Sequence, residues 1–382
     1  MNEIEQYLGM TSSQAVARVL ARSRSYVERE TPSGAAADIA ALGGEIRRDL
    51  EACGARVEVI EAPGAGVNLH ARMPGSDVQH APVVVLTHMD TVHAKGTLER
   101  RPLRVEDGRA YGPGIYDMKT GIALVIEALT WLDERGRTPQ RPIEVLVTCD
   151  EEVGSHSSRQ LIEDSARRAA AVLVPEPCRP DGGVKTFRKG VATYEIEALG
   201  VAAHAGIDGE LAVSATAELV RAAVSVLDLA DHSRGTTLNI GQISGGTASN
   251  VVAEHALAIV DVRIAEPPEG DRVHEAMTSL KAHNPKAELK VRRSEERPPL
   301  VRTDAVAGLY EEARRHAEAL GVALGEGGTG GGSDGSFAAA VGAATLDGLG
   351  AQGGGAHAAD EHIVLDDLPF RFALMARLLE SL

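Results

Sequence analysis

The stretch APVVVLTHMDTV, residues 81–92, decides how the rest of the chain is read. Its first half is a run of β-branched and aliphatic residues, the composition of a strand buried on both faces of a parallel sheet. The run stops at His88, and Asp90 follows two places on. An imidazole and a carboxylate at the exit of a buried strand point to a site at the sheet edge. Ligands of open α/β sheets bind at the carboxyl ends of the strands.

Working outward, RVEVIEA (56–62), RPIEVLVTCDEE (141–152) and AVLVPE (171–176) also read as strands. Helical patterns at 117–136 and 157–170 separate them. Strands alternating with helices of this length predict an α/β domain, a mixed, largely parallel sheet flanked by helices. The pattern changes near Phe187. GVATYEIEALG (190–200) alternates apolar and polar residues, followed by a helix at 212–230, strands at 236–244 and 254–266, a helix at 271–283 and a strand at 287–293. That βαββαβ order predicts an inserted α+β domain with an open-faced antiparallel sheet. The expected division is residues 1–186 plus 297–382 for the first domain and 187–296 for the insertion. A helix at 304–320, the glycine-rich stretches GEGGTGGGSDG (325–335) and LGAQGGGAH (349–357), and a closing helix at 366–381 return to the first domain. Glycine runs between apolar segments read as tight loops near a ligand.

A chain of 382 residues exceeds one comfortable core, in keeping with two domains. The formal charge of −16 argues against nucleic acid or an anionic membrane surface as partner, since both require clustered Lys and Arg. Cys53, Cys149 and Cys178 are odd in number and widely spaced, which indicates neither a disulfide framework nor a cysteine zinc site. No apolar run reaches the ~18 residues of a membrane span, and the N-terminal stretch lacks the pattern of a signal peptide. The expectation is a cytoplasmic protein.

The acids and histidines gather at element ends. His88 and Asp90 follow one strand, Asp150, Glu151 and Glu152 a second, and Glu176 a third. Asp117 opens a helix, and His357 ends a glycine run. Alone, each has an ordinary reading: a structural histidine, a solvated acid, a helix cap. Three consecutive acids leaving a buried strand are costly unless something positive neutralises them. No Lys/Arg cluster is near in sequence, so a bound metal is the economical partner.

Taken in order, HMD, YGPGIYDMK, DEEVGS, PEP and GGGAH resemble the motifs of the M20 family of di-zinc metallopeptidases, and VAAHAG, ASNVV and VDVR extend the resemblance through the insertion. Within that family the chain looks closest to the glutamate carboxypeptidases of the carboxypeptidase G2 type. The resemblance implies two Zn2+ ions, with Co2+ or Mn2+ as substitutes. His88 and Glu176 would hold one, Glu152 and His357 the other, and Asp117 would bridge both. It implies that Asp90 orients the His88 imidazole, that Glu151 is the general base, and that His204 stabilises the oxyanion. Asn250 and Arg263 would hold the substrate, together with backbone N–H groups of the loop at Gly332 and Ser333. His93 and His362 compete for the ligand roles, and His362 ranks second to His357.

The activity implied is hydrolysis of an amide beside a free α-carboxylate in a small peptidyl or N-acyl amino acid, releasing a C-terminal residue, glutamate first. The alternative is an N-acyl-amino-acid deacylase of the acetylornithine deacetylase or succinyl-diaminopimelate desuccinylase kind. The resemblance also implies a homodimer through the insertion, which would serve as lid and dimerisation domain. Two departures from the family pattern, Tyr116 and Thr120, bear on the size of the pocket.

Overall fold

The computed structural model describes residues 1–207 and 211–382. The chain divides into two compact units: Met1–Phe187 with Arg302–Thr329 and Ser333–Leu382, and Arg188–Val301 with Gly330–Gly332. The second unit runs past residue 296 because its last strand continues to Arg297, after which Leu300 pairs with Arg188.

The first unit opens with helices α1 (Glu3–Leu8), α2 (Ser12–Val27) and α3 (Ala36–Ala52), which the pattern reading leaves out. Strands β1 (Arg56–Ala62), β2 (Gly66–Met73) and β3 (Val83–His88) follow. Next come a short helix α4 (Thr97–Arg100), strands β4 (Arg104–Glu106) and β5 (Arg109–Tyr111), and helix α5 (Thr120–Glu134). Strand β6 (Ile143–Thr148), helix α6 (Arg159–Ala166) and strands β7 (Ala171–Val174) and β8 (Val184–Arg188) complete this stretch.

The second unit holds β9 (Gly190–Leu199), α7 (Ala215–Leu227), β10 (Thr237–Gly245), β11 (His255–Ile264), α8 (Pro267–Thr278) and β12 (Glu288–Arg297). The chain closes with α9 (Asp304–Glu318), β13 (Glu326–Thr329), α10 (Gly335–Ala340), β14 (Thr345–Asp347), β15 (Gly353–Gly354), β16 (His362–Val364) and α11 (Leu368–Ser381).

Among the described residues, the main sheet has the order β1-β2-β6-β3-β7-β14-β8-β13. Its centre is parallel: β3 pairs with β6 and β7, and β7 with β14. Antiparallel pairs flank it at β1–β2, β2–β6 and β14–β8. The mixed α/β architecture expected from the sequence is therefore present. Every residue of β3 is buried, as a strand covered on both faces must be. Helix α5 is apolar nearly all round for the same reason: it packs against α2 and α11, and Trp131 on it donates from Nε1 to Leu8 O at 2.9 Å.

Register places the site. His88 pairs with Thr148, so β3 and β6 end side by side, and Val85 of β3 pairs with Leu173 on the other flank. The chain segments leaving three parallel neighbours carry His88–Asp90, Asp150–Glu152 and Glu176. In the second unit the order is β10-β11-β9-β12, antiparallel throughout. Burial alternates along β9 and β11, which marks a sheet with one covered face.

Candidate metal centre

Five side chains of the first unit meet at the ends of these strands. His88 Nε2 lies 3.3 Å from Asp117 Oδ1 and 3.4 Å from Glu176 Oε1. His357 Nε2 lies 3.4 Å from Asp117 Oδ2 and 3.2 Å from Glu152 Oε2. Asp117 thus faces both histidines, one with each oxygen.

The geometry fits metal better than hydrogen bonding. Among the described residues, His88 Nε2, Asp117 Oδ1 and Glu152 Oε1 are buried without a hydrogen-bond partner. Ligand atoms of His88, Asp117 and Glu152 all fall within 4.8 Å of one another. Two ligand atoms each about 2.0–2.1 Å from a tetrahedral zinc stand roughly 3.3–3.4 Å apart, which is the separation these pairs show. An all N and O donor set is that of hydrolytic zinc.

Backbone and neighbouring side chains aim the ligands. His88 Nδ1 donates to Asp90 O at 3.1 Å, which commits the proton to Nδ1 and leaves the Nε2 lone pair toward the cluster. The Asp90 carboxylate accepts the backbone N–H of Glu151 at 3.1 Å and of Glu152 at 3.3 Å, and the Ser33 hydroxyl at 2.7 Å. These contacts hold the short 3-10 turn Glu151–Val153 that follows β6. His357 adopts a left-handed backbone with φ of +64°, unusual for a side chain of its size, just after Gly355.

A profile of Peptidase family M20/M25/M40 matches residues 84–381. The chain is 32% identical to Carboxypeptidase G2 of Pseudomonas sp. (strain RS-16) over 93% of its length and 87% of the relative's.

The chain belongs to peptidase family M20.

It is also 29% identical to acetylornithine deacetylase of Myxococcus xanthus, over 67% of this chain and 69% of that one. An M20 family metallo-carboxypeptidase from Sulfolobus solfataricus shares the fold with a TM-score of 0.76 at 15% identity, covering 95% of this chain and 98% of the other. The chain is accordingly a metallopeptidase or amidohydrolase of the M20 type, a family that implies a divalent metal.

The charges of the cluster act strongly on one another. Desolvation is the largest influence on His88 and opposes its charge, yet the nearby carboxylates of Asp117, Asp90 and Glu176 together outweigh it and raise its pKa well above the ordinary value. The Asp117 and Glu152 carboxylates, accepting from its ring, raise His357 to about 10. Burial would raise Asp117, but both histidines hold it far below the usual carboxylate range.

The other acids are not all served by the cluster. Asp150, first of the three consecutive acids, is buried and accepts from Ser157 N at 2.6 Å and Ser158 Oγ at 2.7 Å. It needs no metal. The sequence offered no nearby Lys/Arg cluster, and the structure adds a single cation, Lys119, buried, with Nζ donating to Arg29 O at 2.6 Å. Burial pushes its ammonium down to about 7, against the pull of Glu361, Glu30 and Asp90.

Neither competing histidine joins the cluster among the described residues. His93 Nε2 donates to Glu361 Oε2 at 2.5 Å. His362 Nδ1 donates to Asp360 O at 2.9 Å, and its ring lies over Tyr111 with centroids 5.2 Å apart. Tyr116 turns inward, with its hydroxyl 3.4 Å from Cys178 O, and Thr120 is fully buried at the start of α5. Glu361 and Lys119 are the residues that pattern reading missed. The signal for Glu361 was its place four residues after His357, inside a segment that reads only as a strand start.

The remaining candidates divide between the units. Ser333, in the first, is buried and donates from Oγ to Asp347 Oδ2 at 2.5 Å, so its side chain serves the core and its backbone alone is left for a ligand. In the second unit, the exposed His204 and Asn250 lie on paired loops: His204 bridges Val251, and Ala205 N donates to Asn250 O at 3.0 Å. Arg263 forks onto Asp261 with bonds of 2.8 and 2.7 Å and reaches Gly330 O at 3.4 Å. Gly332 O accepts from Arg188 Nη1 at 2.8 Å, and a Cβ on Gly332 would stand 3.1 Å from Arg297 Cδ.

Proposed function

We propose that this M20 protein is a two-zinc carboxypeptidase that cleaves an amide beside a free α-carboxylate and releases a C-terminal amino acid, glutamate first. The observation that carries the reading is the five-group cluster with its common spacing of 3.2–3.4 Å. The preference for glutamate is supported by the identity to Carboxypeptidase G2 along nearly the whole chain.

In this reading His88 and Glu176 hold one ion, Glu152 and His357 the other, and Asp117 lies between them. Bound there, the ions supply Lewis acidity and lower the pKa of water at the site toward about 7. The chain's own groups do the rest. Asp90 fixes the His88 tautomer and the turn that carries Glu151 and Glu152. Glu151 takes the proton from water and delivers it to the departing amine. His204 donates to the oxyanion as it develops on the scissile carbonyl. Arg263, Asn250 and the backbone N–H groups of Gly332 and Ser333 hold the substrate, with Arg263 on its carboxylate.

A second reading, an N-acyl-amino-acid deacylase, is favoured by the similarity to acetylornithine deacetylase. It uses the same centre and a different pocket. We also infer a homodimer through the second unit. Among the described residues strand β10 is an edge of its sheet, and α7 exposes Val220, Val224 and Leu227 at the i, i+4, i+7 spacing of one helix face.

The test is hydrolysis of peptidyl and N-acyl derivatives of Glu, Asp, Ala, Arg and ornithine by zinc-loaded wild type and Glu151→Ala. Release of glutamate by wild type, and none by a variant that still binds two zinc ions, is the expected result. Turnover of simple N-acetyl compounds alone replaces the carboxypeptidase with the deacylase. A Glu151→Ala protein as active as wild type overturns the assignment of the base.

A further inference from the structure

We propose that Glu361 is a positioning residue for the metal centre: its carboxylate clamps the turn that presents Asp117 and ties that turn to the loop carrying His357. This rests on the five-ligand reading and adds to it a residue that touches no ligand position.

The turn before α5 creates the need. Gly114 adopts φ of +72°, and Asp117 and Met118 leave helical geometry, at φ/ψ of −117°/97° and −132°/35°. Within this turn Lys119 N returns to Gly114 O at 3.0 Å and Ile115 N to Gly112 O at 3.3 Å, which leaves the N–H groups around them to find acceptors elsewhere. Those of Gly114, Tyr116 and Asp117 all point at one carboxylate. Glu361 Oε2 accepts from Gly114 N at 2.9 Å, while Oε1 accepts from Tyr116 N at 2.9 Å and Asp117 N at 3.1 Å. His93 Nε2 adds a fourth donor on Oε2 at 2.5 Å. An ionised carboxylate offers about four acceptor positions, so Glu361, only 2% exposed, is filled by donors and has nothing left for an ion.

Its position in the chain gives the clamp a purpose. Glu361 lies four residues after His357 and immediately before β16, and its own carbonyl accepts from Gly112 N at 3.2 Å. β16 then pairs with β5, His362 opposite Tyr111. One short segment therefore fixes both the His357 loop and the Asp117 turn, and those two residues must face each other at 3.4 Å to share an ion. The three backbone donors use both oxygens of the Glu361 side chain. In Glu361→Gln one oxygen becomes an NH2 group facing N–H donors, so at least one donor loses its acceptor and the turn must shift.

The experiment compares zinc affinity by chelator competition, metal-free melting temperature, and kcat and KM for wild type, Glu361→Gln, Glu361→Asp and His93→Ala. The expected result is a folded Glu361→Gln protein whose affinity for one of two zinc ions falls about tenfold to hundredfold, as for other residues that orient ligands. Its kcat falls by a similar factor with KM little changed, and Glu361→Asp recovers part of the loss. A folded Glu361→Gln protein that binds both ions as wild type does, whatever its melting temperature, overturns the proposal. If that variant does not fold, His93→Ala decides, since it removes one donor of four: a loss of about tenfold in zinc affinity supports the clamp, and unchanged affinity overturns it. Wild type that binds fewer than two zinc ions would instead sink the five-ligand reading.

Discussion

Asp90 Oδ2 accepts the backbone N–H of Glu152 at 3.3 Å, so the residue that orients one candidate ligand also seats another. The same carboxylate takes the N–H of Glu151 through Oδ1, and the Asp90 carbonyl fixes the His88 ring. Two neighbouring strands of the parallel sheet are thereby locked to each other where they end. Replacing Asp90 with Asn keeps the shape, removes the charge and turns an NH2 toward backbone donors. Activity is expected to fall about tenfold to hundredfold, with weaker zinc retention. Steady-state kinetics with metal analysis of the purified variant check this; unchanged values for both would show the contacts to be incidental.

Protonation of the metal-free site has a defined sign. His357 titrates at about 10 when folded, against its ordinary 6.5. A raised histidine contributes stability fully below 6.5, and that stability is lost as pH rises through about 10. Metal-free wild type is expected to lose melting temperature across this window, and His357→Gln to flatten the slope. Zinc uptake near neutral pH must also expel protons from His88 and His357, since imidazole binds metal only when neutral. Calorimetric titrations in buffers of different ionisation enthalpy count them.

Acid stability of the second unit turns on Glu269. Arg272 first, then Thr236 and, against the effect of burial, Arg234 hold this carboxylate at about 2, below its ordinary 4.5. The depressed pKa makes its contribution present above 4.5 and lost as pH falls through about 2. Glu269→Gln is expected to be less stable than wild type at neutral pH and to converge with it in acid. Melting curves between these pH values test it, and a gap that stays constant would contradict the assignment.

Arg263 is already engaged. Its fork onto Asp261 holds the guanidinium in one orientation, and Lys cannot reproduce that bidentate pair. Arg263→Lys is expected to raise KM for a substrate with a free α-carboxylate by about tenfold or more, with a smaller effect on the matching amide. An equal change for both substrates would remove Arg263 from carboxylate recognition.

Much of the fold was legible because its signals are local. The buried run of β3, the alternation along β9 and β11, and the βαββαβ order each follow from periodicity within one element. The candidate ligands were legible because His88, Asp117, Glu152, Glu176 and His357 sit in short motifs whose order resembles a known family. What escaped was of another kind. α1, α2 and α3 carry ordinary amphipathic sequence, and β2 is closed in by Gly66 and Pro74.

Sequence alone determined the α/β class, the inserted unit and the residue types able to bind metal, since composition and spacing are properties of neighbours along the chain. Tertiary structure alone decided which carboxylates have their acceptor positions filled by other donors. Asp150 stands beside Glu151 and Glu152 yet is satisfied by Ser157 and Ser158, while Glu361, 244 residues from Asp117, supplies the acceptor for its backbone N–H. A carboxylate's role depends on which donors reach it in three dimensions. For Asp150 they lie seven and eight residues along the chain, whereas for Glu361 they come from a turn that the pairing of β16 with β5 brings to it.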